Sequence, residues 1–123
     1  MTDPRHALGL AAEELVAAWL TGIGWRVIAR RHRSPGGGEV DLVALDPGRI
    51  LVAVEVRARR TARTGPAAAS VDHRRVRRLA RTLAAVAASN GEPHTGLRID
   101  IVTVEPLAGA TRRWRISRIP NVG

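Results

Sequence analysis

The central third of the sequence predicts two β-strands joined by a short turn. Two runs rich in Val, Leu, Ile and Ala, Glu39–Leu45 and residues 50–59, are separated by Asp46-Pro47-Gly48-Arg49. Proline presets the backbone for the first central position of a turn and glycine suits the next, so this segment predicts a β-hairpin. A hairpin is rarely stable alone and needs further strands or a helix packed against it, which strongly constrains the rest of the fold.

The flanking segments predict an α/β fold. Apolar residues at helical spacing predict a first helix, capped by Thr2-Asp3-Pro4 and extending to about Leu20, and a second helix from about Ser70 to Asn90-Gly91. Residues 25–33, 97–105 and 112–119 predict three more strands, and residues 34–38 and 61–69 predict loops. The predicted buried positions are Leu8, Ala12, Leu15, Val16, Trp19, Leu20 and Ile23 in the first helix, and Val76, Leu79, Ala80, Leu83 and Val86 in the second.

The order of these elements is α-β-β-β-α-β-β. It predicts a central mixed β-sheet flanked by helices, in a single domain that covers residues 1–123. No apolar run approaches the length of a membrane span, and Glu13 and Glu14 interrupt the first apolar segment, so neither a membrane partner nor a secretory signal is expected. The absence of cysteine excludes disulfides and Cys-ligated zinc and favours a cytoplasmic location.

The net charge is +9, with 20 arginines, no lysine and 11 acidic residues. This excess favours a nucleic-acid partner, because each neutralised phosphate releases counterions and adds affinity. It would also suit an acidic membrane or a ribosomal surface, or serve only solubility.

Asp41 and Glu55 are acids at strand positions of the hairpin. Strand side chains alternate between faces, so the two acids share a face only when the numbers of opposed residues add to an even value. A loop that pairs Asp46 with Ile50 places Asp41 opposite Glu55. A tighter turn that pairs Asp46 with Arg49 places the acids on opposite faces unless a bulge intervenes.

Two opposed carboxylates about 5 Å apart repel each other, which raises one pKa or recruits a cation. Oxygen ligands without clustered His or Cys favour Mg²⁺ or Mn²⁺ over zinc, and the carbonyl of Val56 could join Asp41 and Glu55 as a ligand. Such an ion would polarise a phosphoryl oxygen and lower the pKa of a bound water, while Arg57 could stabilise charge developing on the phosphate. The alternative is that both acids only pair with nearby arginines on a solvated sheet face.

Asp41, followed after a hairpin by Glu55-Val56-Arg57, resembles the PD-(D/E)XK nuclease motif. A longer pattern is similar to the YraN-like family of small bacterial proteins, and it extends in order over nearly the whole chain. It consists of Gly9 and Glu13, GGEVDLV from Gly37, VEVRAR from Val54, AASV from Ala68 and LRIDIV from Leu97. The resemblance implies a restriction-endonuclease-like fold, similar to archaeal Holliday-junction resolvases, and a nuclease function.

The same resemblance implies roles for single residues. Asp41 and Glu55 match the metal-binding acids, Glu13 matches an acid of the first helix that would assist them, and Arg57 takes the position that usually holds Lys. Arginine stays protonated and cannot act as a base, so we expect Arg57 to stabilise charge instead. Resolvase-like enzymes act as dimers, so a homodimer is expected by analogy.

Two further residues match a late Arg-x-Asp of the family on a predicted strand. Arg98 and Asp100 share a strand face, and we expect them to pair with each other. Asp100 would then support the metal site from behind the direct ligands.

The second helix carries five arginines, predicted to bind nucleic acid: Arg74, Arg75, Arg77, Arg78 and Arg81. All except Arg75 lie on one side of the helix at i, i+3, i+4 and i+7, a stripe suited to phosphates, although it could be only a solvated face. The chain has no Phe or Tyr, which argues against binding single strands by base stacking, although Trp25 or Trp114 could stack.

The sequence therefore predicts a Mg²⁺- or Mn²⁺-dependent endonuclease that acts on structured or branched DNA. The alternative is a non-catalytic module of the same fold that binds nucleic acid or docks on a protein. A third option is a factor associated with RNA or the ribosome.

Overall fold

The computed structural model describes residues 4–33, 38–58, 72–89, 91–107 and 113–122. Its elements are α1 (Pro4–Gly22), β1 (Arg26–Arg33), β2 (Glu39–Leu45), β3 (Ile50–Ala58), α2 (His73–Ser89), β4 (Gly96–Pro106) and β5 (Trp114–Ile119). The predicted order α-β-β-β-α-β-β is confirmed, with a mixed sheet and two helices. The predicted loops at 34–37 and 61–69, and the predicted cap Ser70, lie outside the described residues.

The five strands form one sheet in the order β1-β2-β3-β4-β5. Neighbouring strands are antiparallel except for β3 and β4, which are parallel. Parallel neighbours require a crossover connection, and α2 lies in the segment that connects these two strands. β3 is therefore a central strand, between the antiparallel hairpin with β2 and the parallel pairing with β4.

The sheet buries one apolar core on each face. The α1-side core consists of Ala12, Val16, Ala17, Leu20, Trp25, Leu42, Ala44, Val52, Val54, Val102 and Val104. The α2-side core consists of Val40, Val43, Leu45, Leu51, Ala53, Leu79, Leu83, Val86 and Ile99. Consecutive strand residues such as Val52 and Ala53 belong to different cores, so α1 and α2 lie on opposite faces of the sheet.

Helix positions differ from the sequence prediction in three places. Ile23 lies past the end of α1 and is 47% exposed, so it does not extend the buried stripe. In α2, Ala80 is exposed and Thr82 is buried, so the face that packs on the sheet is turned towards Thr82. Asp72 caps α2, because its side chain accepts a hydrogen bond from the Arg74 N–H at 2.9 Å.

An ionic network around the buried Asp100 joins β4 to β5. The predicted pair is confirmed: Arg98 donates to both carboxylate oxygens of Asp100 at 2.8 and 3.0 Å. Asp100 is fully buried and also accepts from Arg118 at 2.9 Å and from the Asn121 N–H at 3.0 Å. Both guanidinium groups lie over the Trp25 ring, 5.8 and 5.4 Å from its centroid.

No helix in the part of the chain that the structure describes is long and apolar enough to cross a membrane.

Candidate active site

The turn between β2 and β3 sets the register of the hairpin. The Asp46 N–H donates to the Ile50 carbonyl at 3.0 Å, and the Arg49 N–H donates to the Asp46 carbonyl at 2.9 Å. The Asp46 side chain closes the loop by accepting from the Ile50 N–H at 2.9 Å. Asp46 therefore pairs with Ile50 across a three-residue loop, which is the register that brings the two acids together.

The β2–β3 ladder continues this register from Leu45 opposite Leu51 to Leu42 opposite Val54. The ladder ends one residue short of the two acids, and extending it by one position would set Asp41 opposite Glu55. The predicted register is confirmed over these pairs, and the charges of Glu55 and of Arg75 in α2 both act on Asp41, so the two acids lie close together on the α2 side of the sheet.

The Asp41 side chain is hydrogen-bonded to the β3 backbone just beyond the end of the regular β2–β3 ladder. Its Oδ2 accepts a hydrogen bond from the Val56 N–H at 2.9 Å. This bond fixes the carboxylate against β3, beside Glu55. The contact shown for Val56 is therefore through its amide, which orients Asp41, and the predicted role of its carbonyl as a metal ligand stays a prediction.

The Asp41 carboxyl is harder to ionise than an ordinary aspartate, because its pKa is raised. Burial raises the pKa of the Asp41 carboxyl, and the negative charges of Glu55 and Glu39 raise it further. The hydrogen bond from Val56 and the positive charge of Arg75 act in the opposite direction, and the net pKa shift is upward. An added cation would favour the ionised form of this carboxyl.

Glu55 is the more deeply placed of the two acids, with 9% of its side chain exposed. Its Oε1 forms an ion pair with Arg75 of α2. Its Oε2 lies 4.0 Å from a guanidinium nitrogen of Arg57, two residues along the same strand. The site thus contains two carboxylates and two arginines on one face of the sheet.

Glu13 lies on α1, on the other side of the sheet from α2. Its Oε1 is 3.8 Å from the Arg31 Nε of β1. Among the residues that the structure describes, no group of three or more acidic or histidine side chains comes close enough to hold a metal ion. Glu13 is therefore not gathered with Asp41 and Glu55, and its auxiliary role stays a prediction.

The donor set at Asp41 and Glu55 is compatible with a hard divalent cation. Mg²⁺ keeps several of its waters and is often held by only one or two carboxylates, so two acids form a sufficient first anchor. The pKa of Asp41 is raised chiefly by burial and also by the charge of Glu55, so a further cation beside these acids would favour the ionised form. Asp41 and Glu55 would therefore hold Mg²⁺ or Mn²⁺, and the Arg75 guanidinium would have to yield part of its contact with Glu55.

Asp100 does not reach this pair. The contacts of its carboxylate are with Arg98, Arg118 and the Asn121 backbone, all in the ionic network of β4 and β5. The expected support for the metal site from Asp100 is therefore not observed, because that carboxylate is already occupied by four hydrogen bonds from these groups.

The arginines of α2 divide into two groups. Arg74, Arg77, Arg78 and Arg81 are exposed, as a phosphate-binding stripe requires, whereas Arg75 contacts Glu55. Next to the acid pair, Gly38, Glu39, Arg75, Arg78 and Leu79 line a small cleft. Of the tryptophans considered for base stacking, Trp25 is buried beneath two arginines, while Trp114 is 39% exposed.

The link between Arg75 and Glu55 was missed in the sequence analysis, which placed Arg75 with the nucleic-acid-binding arginines. The helical spacing contains a signal for it, because Arg75 precedes Leu79 by four residues and Thr82 by seven. Those two residues face the sheet. An arginine at the edge of a helical face that packs on a sheet favours an acidic partner beneath it, and Glu55 is the acid at that place.

Comparison with known proteins places the chain in a family. The model described as "Uncharacterised protein family UPF0102" matches residues 12–104, which include both acids of the site. The chain is 41% identical over 114 residues to a UPF0102 protein of Symbiobacterium thermophilum, covering 93% of each chain. It is 40% identical over 121 residues to one of Mycolicibacterium vanbaalenii, covering 98% of this chain and 97% of the other. It is also similar to one of Bordetella avium, at 44% identity over 115 residues, with 92% and 75% covered. The chain therefore belongs to the UPF0102 family, which is the YraN family indicated by its sequence.

Proposed function

We propose that this protein is a Mg²⁺- or Mn²⁺-dependent endonuclease that hydrolyses phosphodiesters in structured or branched DNA. One observation carries the proposal: Asp41 and Glu55 converge on one face of the sheet, and the pKa of Asp41 is raised by burial and by the charge of Glu55. A protein gains no stability from such a pair, so a functional use of the site is the simplest reason for it.

Each residue of the site has a separate role in this proposal. A divalent ion bound here supplies positive charge to the phosphate and acidifies water. Asp41 and Glu55 hold and orient that charge, and the Val56 N–H fixes the Asp41 carboxylate through its 2.9 Å hydrogen bond. Arg57 lies within 4.0 Å of Glu55 and stays protonated, so its guanidinium stabilises negative charge that develops on the phosphate. Glu13 is proposed as an auxiliary acid.

In this proposal the exposed arginines of α2 bind the phosphates of the DNA backbone. They lie on the helix that covers the acid pair, so phosphates bound along this stripe would lead into the cleft beside the acids. Contacts of this kind do not read base identity, so they suit recognition of duplex or branched DNA by shape. A cytoplasmic location and a homodimer, which would place two cuts symmetrically, belong to the same proposal.

A second candidate function is a non-catalytic module that binds nucleic acid or docks on a protein. The ion pair between Arg75 and Glu55 favours it, because an arginine already neutralises one of the two acids. The arginine at position 57 also favours it, since Arg cannot serve as the base that Lys can become. Both candidates predict salt-sensitive DNA binding, and they differ in whether strands are cut.

The test is a cleavage panel of four-way junction, flap, single-stranded and duplex DNA with Mn²⁺. The endonuclease proposal expects cleavage of a structured substrate that is abolished by Asp41→Asn and by Glu55→Gln, with DNA binding retained. Binding of all substrates without cleavage would favour the module, and stronger competition by RNA than by DNA would favour an RNA-associated factor.

Arg57 gives a second arm of the same test. Arg57→Ala should lose cleavage and Arg57→Lys should keep or gain it, because Lys restores a cation at the same place. Equal cleavage by the wild type and Arg57→Ala would remove this residue from the mechanism.

A further inference from the structure

Arg75 differs from the other arginines of α2 in where its charge lies. Arg74, Arg77, Arg78 and Arg81 are exposed, but the Arg75 guanidinium pairs with Glu55 beneath the helix. Its charge also acts on Asp41, whose pKa it lowers. A side-chain cation therefore stands close to the place that a divalent cation would take between the two acids.

Arg75 is at the same time open to a ligand from outside. Its side chain is 41% exposed, and it lines the small cleft together with Gly38, Glu39, Arg78 and Leu79. A long, half-exposed side chain of this kind changes partner by rotation about its own bonds, without movement of the helix backbone. Arg75 thus faces Glu55 on one side and solvent on the other.

We propose that Arg75 is a competing counter-ion, which keeps divalent cations off the Asp41–Glu55 pair until a backbone phosphate enters the cleft and takes the guanidinium over. The inference rests on the proposed function, because it concerns the same metal site. Polyanion binding and metal binding are then coupled through one arginine.

The coupling follows from charge. Guanidinium binds a phosphate through two parallel hydrogen bonds, so a phosphate in the cleft competes well with one carboxylate for Arg75. Once Arg75 turns to the phosphate, Glu55 loses its counter-charge and the repulsion between the two acids favours a new cation. By linkage, the metal must also raise the affinity for the polyanion by the same factor. In the absence of DNA, the site binds metal weakly, which limits unproductive occupancy.

The test measures Mn²⁺ binding by isothermal titration calorimetry without DNA. Removal of the competing cation in Arg75→Gln should tighten Mn²⁺ binding by about three- to tenfold, the range expected from the modest strength of a half-exposed ion pair. Arg78→Gln is the matched control, because it removes the same charge from the same cleft without touching the pair with Glu55. It should leave the Mn²⁺ affinity within about twofold of the wild type.

A second variant and a second measurement complete the test. Arg75→Met keeps the length of the side chain and should tighten Mn²⁺ binding like Arg75→Gln, with the fold of each checked by circular dichroism. In fluorescence anisotropy with a labelled phosphorothioate duplex, Mn²⁺ should raise the DNA affinity of the wild type more than that of Arg75→Gln, at constant ionic strength.

The outcomes separate the two proposals. Equal Mn²⁺ affinity in the wild type and both Arg75 variants would overturn the counter-ion role and leave the metal site intact. The same gain in Arg78→Gln would also overturn it, because the effect would then be one of net charge. No Mn²⁺ binding to any of these proteins would overturn the proposed function and this inference together.

Discussion

Replacing Asp41 by Asn should make the metal-free protein more stable at neutral pH. Most substitutions at packed positions destabilise a protein, so this sign is diagnostic. Asn keeps the shape of the side chain and an oxygen that accepts the hydrogen bond from the Val56 N–H, at 2.9 Å in the wild type. It removes the negative charge that burial and Glu55 make unfavourable.

The expected gain follows from the geometry of the pair. Two carboxylates about 5 Å apart repel each other by about 3 kcal/mol at an effective dielectric constant of about 20. The ion pair of Glu55 with Arg75 and the partial exposure of the site offset much of this. We therefore expect the free energy of unfolding to rise by about 1 kcal/mol, or the melting temperature by about 4 °C.

The pH dependence has a definite sign. The folded-state pKa of Asp41 is raised above 3.8, so the native protein holds this proton more tightly than the unfolded chain does. The wild type therefore loses stability as pH rises from 3.8 through the raised folded pKa. The advantage of Asp41→Asn should be absent below that window and complete above it.

The assay is urea unfolding in EDTA, followed by tryptophan fluorescence, with the m-value compared between proteins. Glu14→Gln is the control, because Glu14 is an exposed acid paired with Arg30 on the outside of α1, and its loss should change stability by less than about 0.5 kcal/mol. A loss of 1 kcal/mol or more in Asp41→Asn would refute the reasoning. Asp41 would then be a structural ion-pair residue and not one member of a strained acid pair.

Three further predictions concern the framework around the site. Asp100→Ala removes the buried carboxylate that Arg98 and Arg118 share, although Arg98 keeps its ion pair with Asp46, and should cost about 3 kcal/mol in urea unfolding. A cost below about 1 kcal/mol would show that the network is dispensable. Burial raises the pKa of Asp46, but hydrogen bonds from the Ile50 N–H and from Arg98 outweigh it, so the pKa lies below 3.8. The Asp46 carboxylate therefore stabilises the fold above pH 3.8, and this stabilisation is lost as the pH falls through the folded pKa. Asp46→Asn should therefore lower the melting temperature at pH 7 but not in acid, and an equal deficit at all pH values would contradict this. Gly38→Ala should cost about 1–3 kcal/mol, because a Cβ there would lie 2.1 Å from the Thr82 Oγ1. Adding Thr82→Ala should recover part of that loss, and simple additivity of the two changes would rule out the clash.

The sequence predicts the hairpin but allows two turns, and only the three-residue loop puts Asp41 and Glu55 on one face. The residues of the Asp46-Pro47-Gly48-Arg49 turn select a loop, the loop sets the register, and the register decides whether Asp41 and Glu55 share a face. The structure adds one feature to the turn: Arg49 adopts a positive φ of 67°. A residue in this conformation lengthens the loop to three residues and so keeps the even-sum register.

The contacts between distant elements could not be predicted in the same way. Which face of α2 meets the sheet depends on packing of the whole helix, and the observed face includes Thr82 in place of Ala80. That rotation brings Arg75 onto Glu55. Strict alternation of strand side chains would put Val40 on the same face as Leu42. Instead, Leu42 packs in the α1-side core and Val40 in the α2-side core, in the part of β2 beyond its ladder with β3.

The same limit applies to Asp100. The spacing of Arg98 and Asp100 predicts their pairing, since both lie on one face of a strand. The second arginine on this carboxylate, Arg118, comes from β5, 18 residues later in the chain. Only the tertiary arrangement shows that both oxygens of the Asp100 carboxylate accept hydrogen bonds within this network.

The most direct test of the proposed metal site is an anomalous difference map from crystals of Arg75→Gln, which lacks the competing guanidinium, soaked in Mn²⁺. The proposal expects one strong peak on the α2 face of the sheet, within about 2.5 Å of a carboxylate oxygen from both Asp41 and Glu55. A map with no peak between these two carboxylates at millimolar Mn²⁺, although the competing guanidinium has been removed, would contradict it.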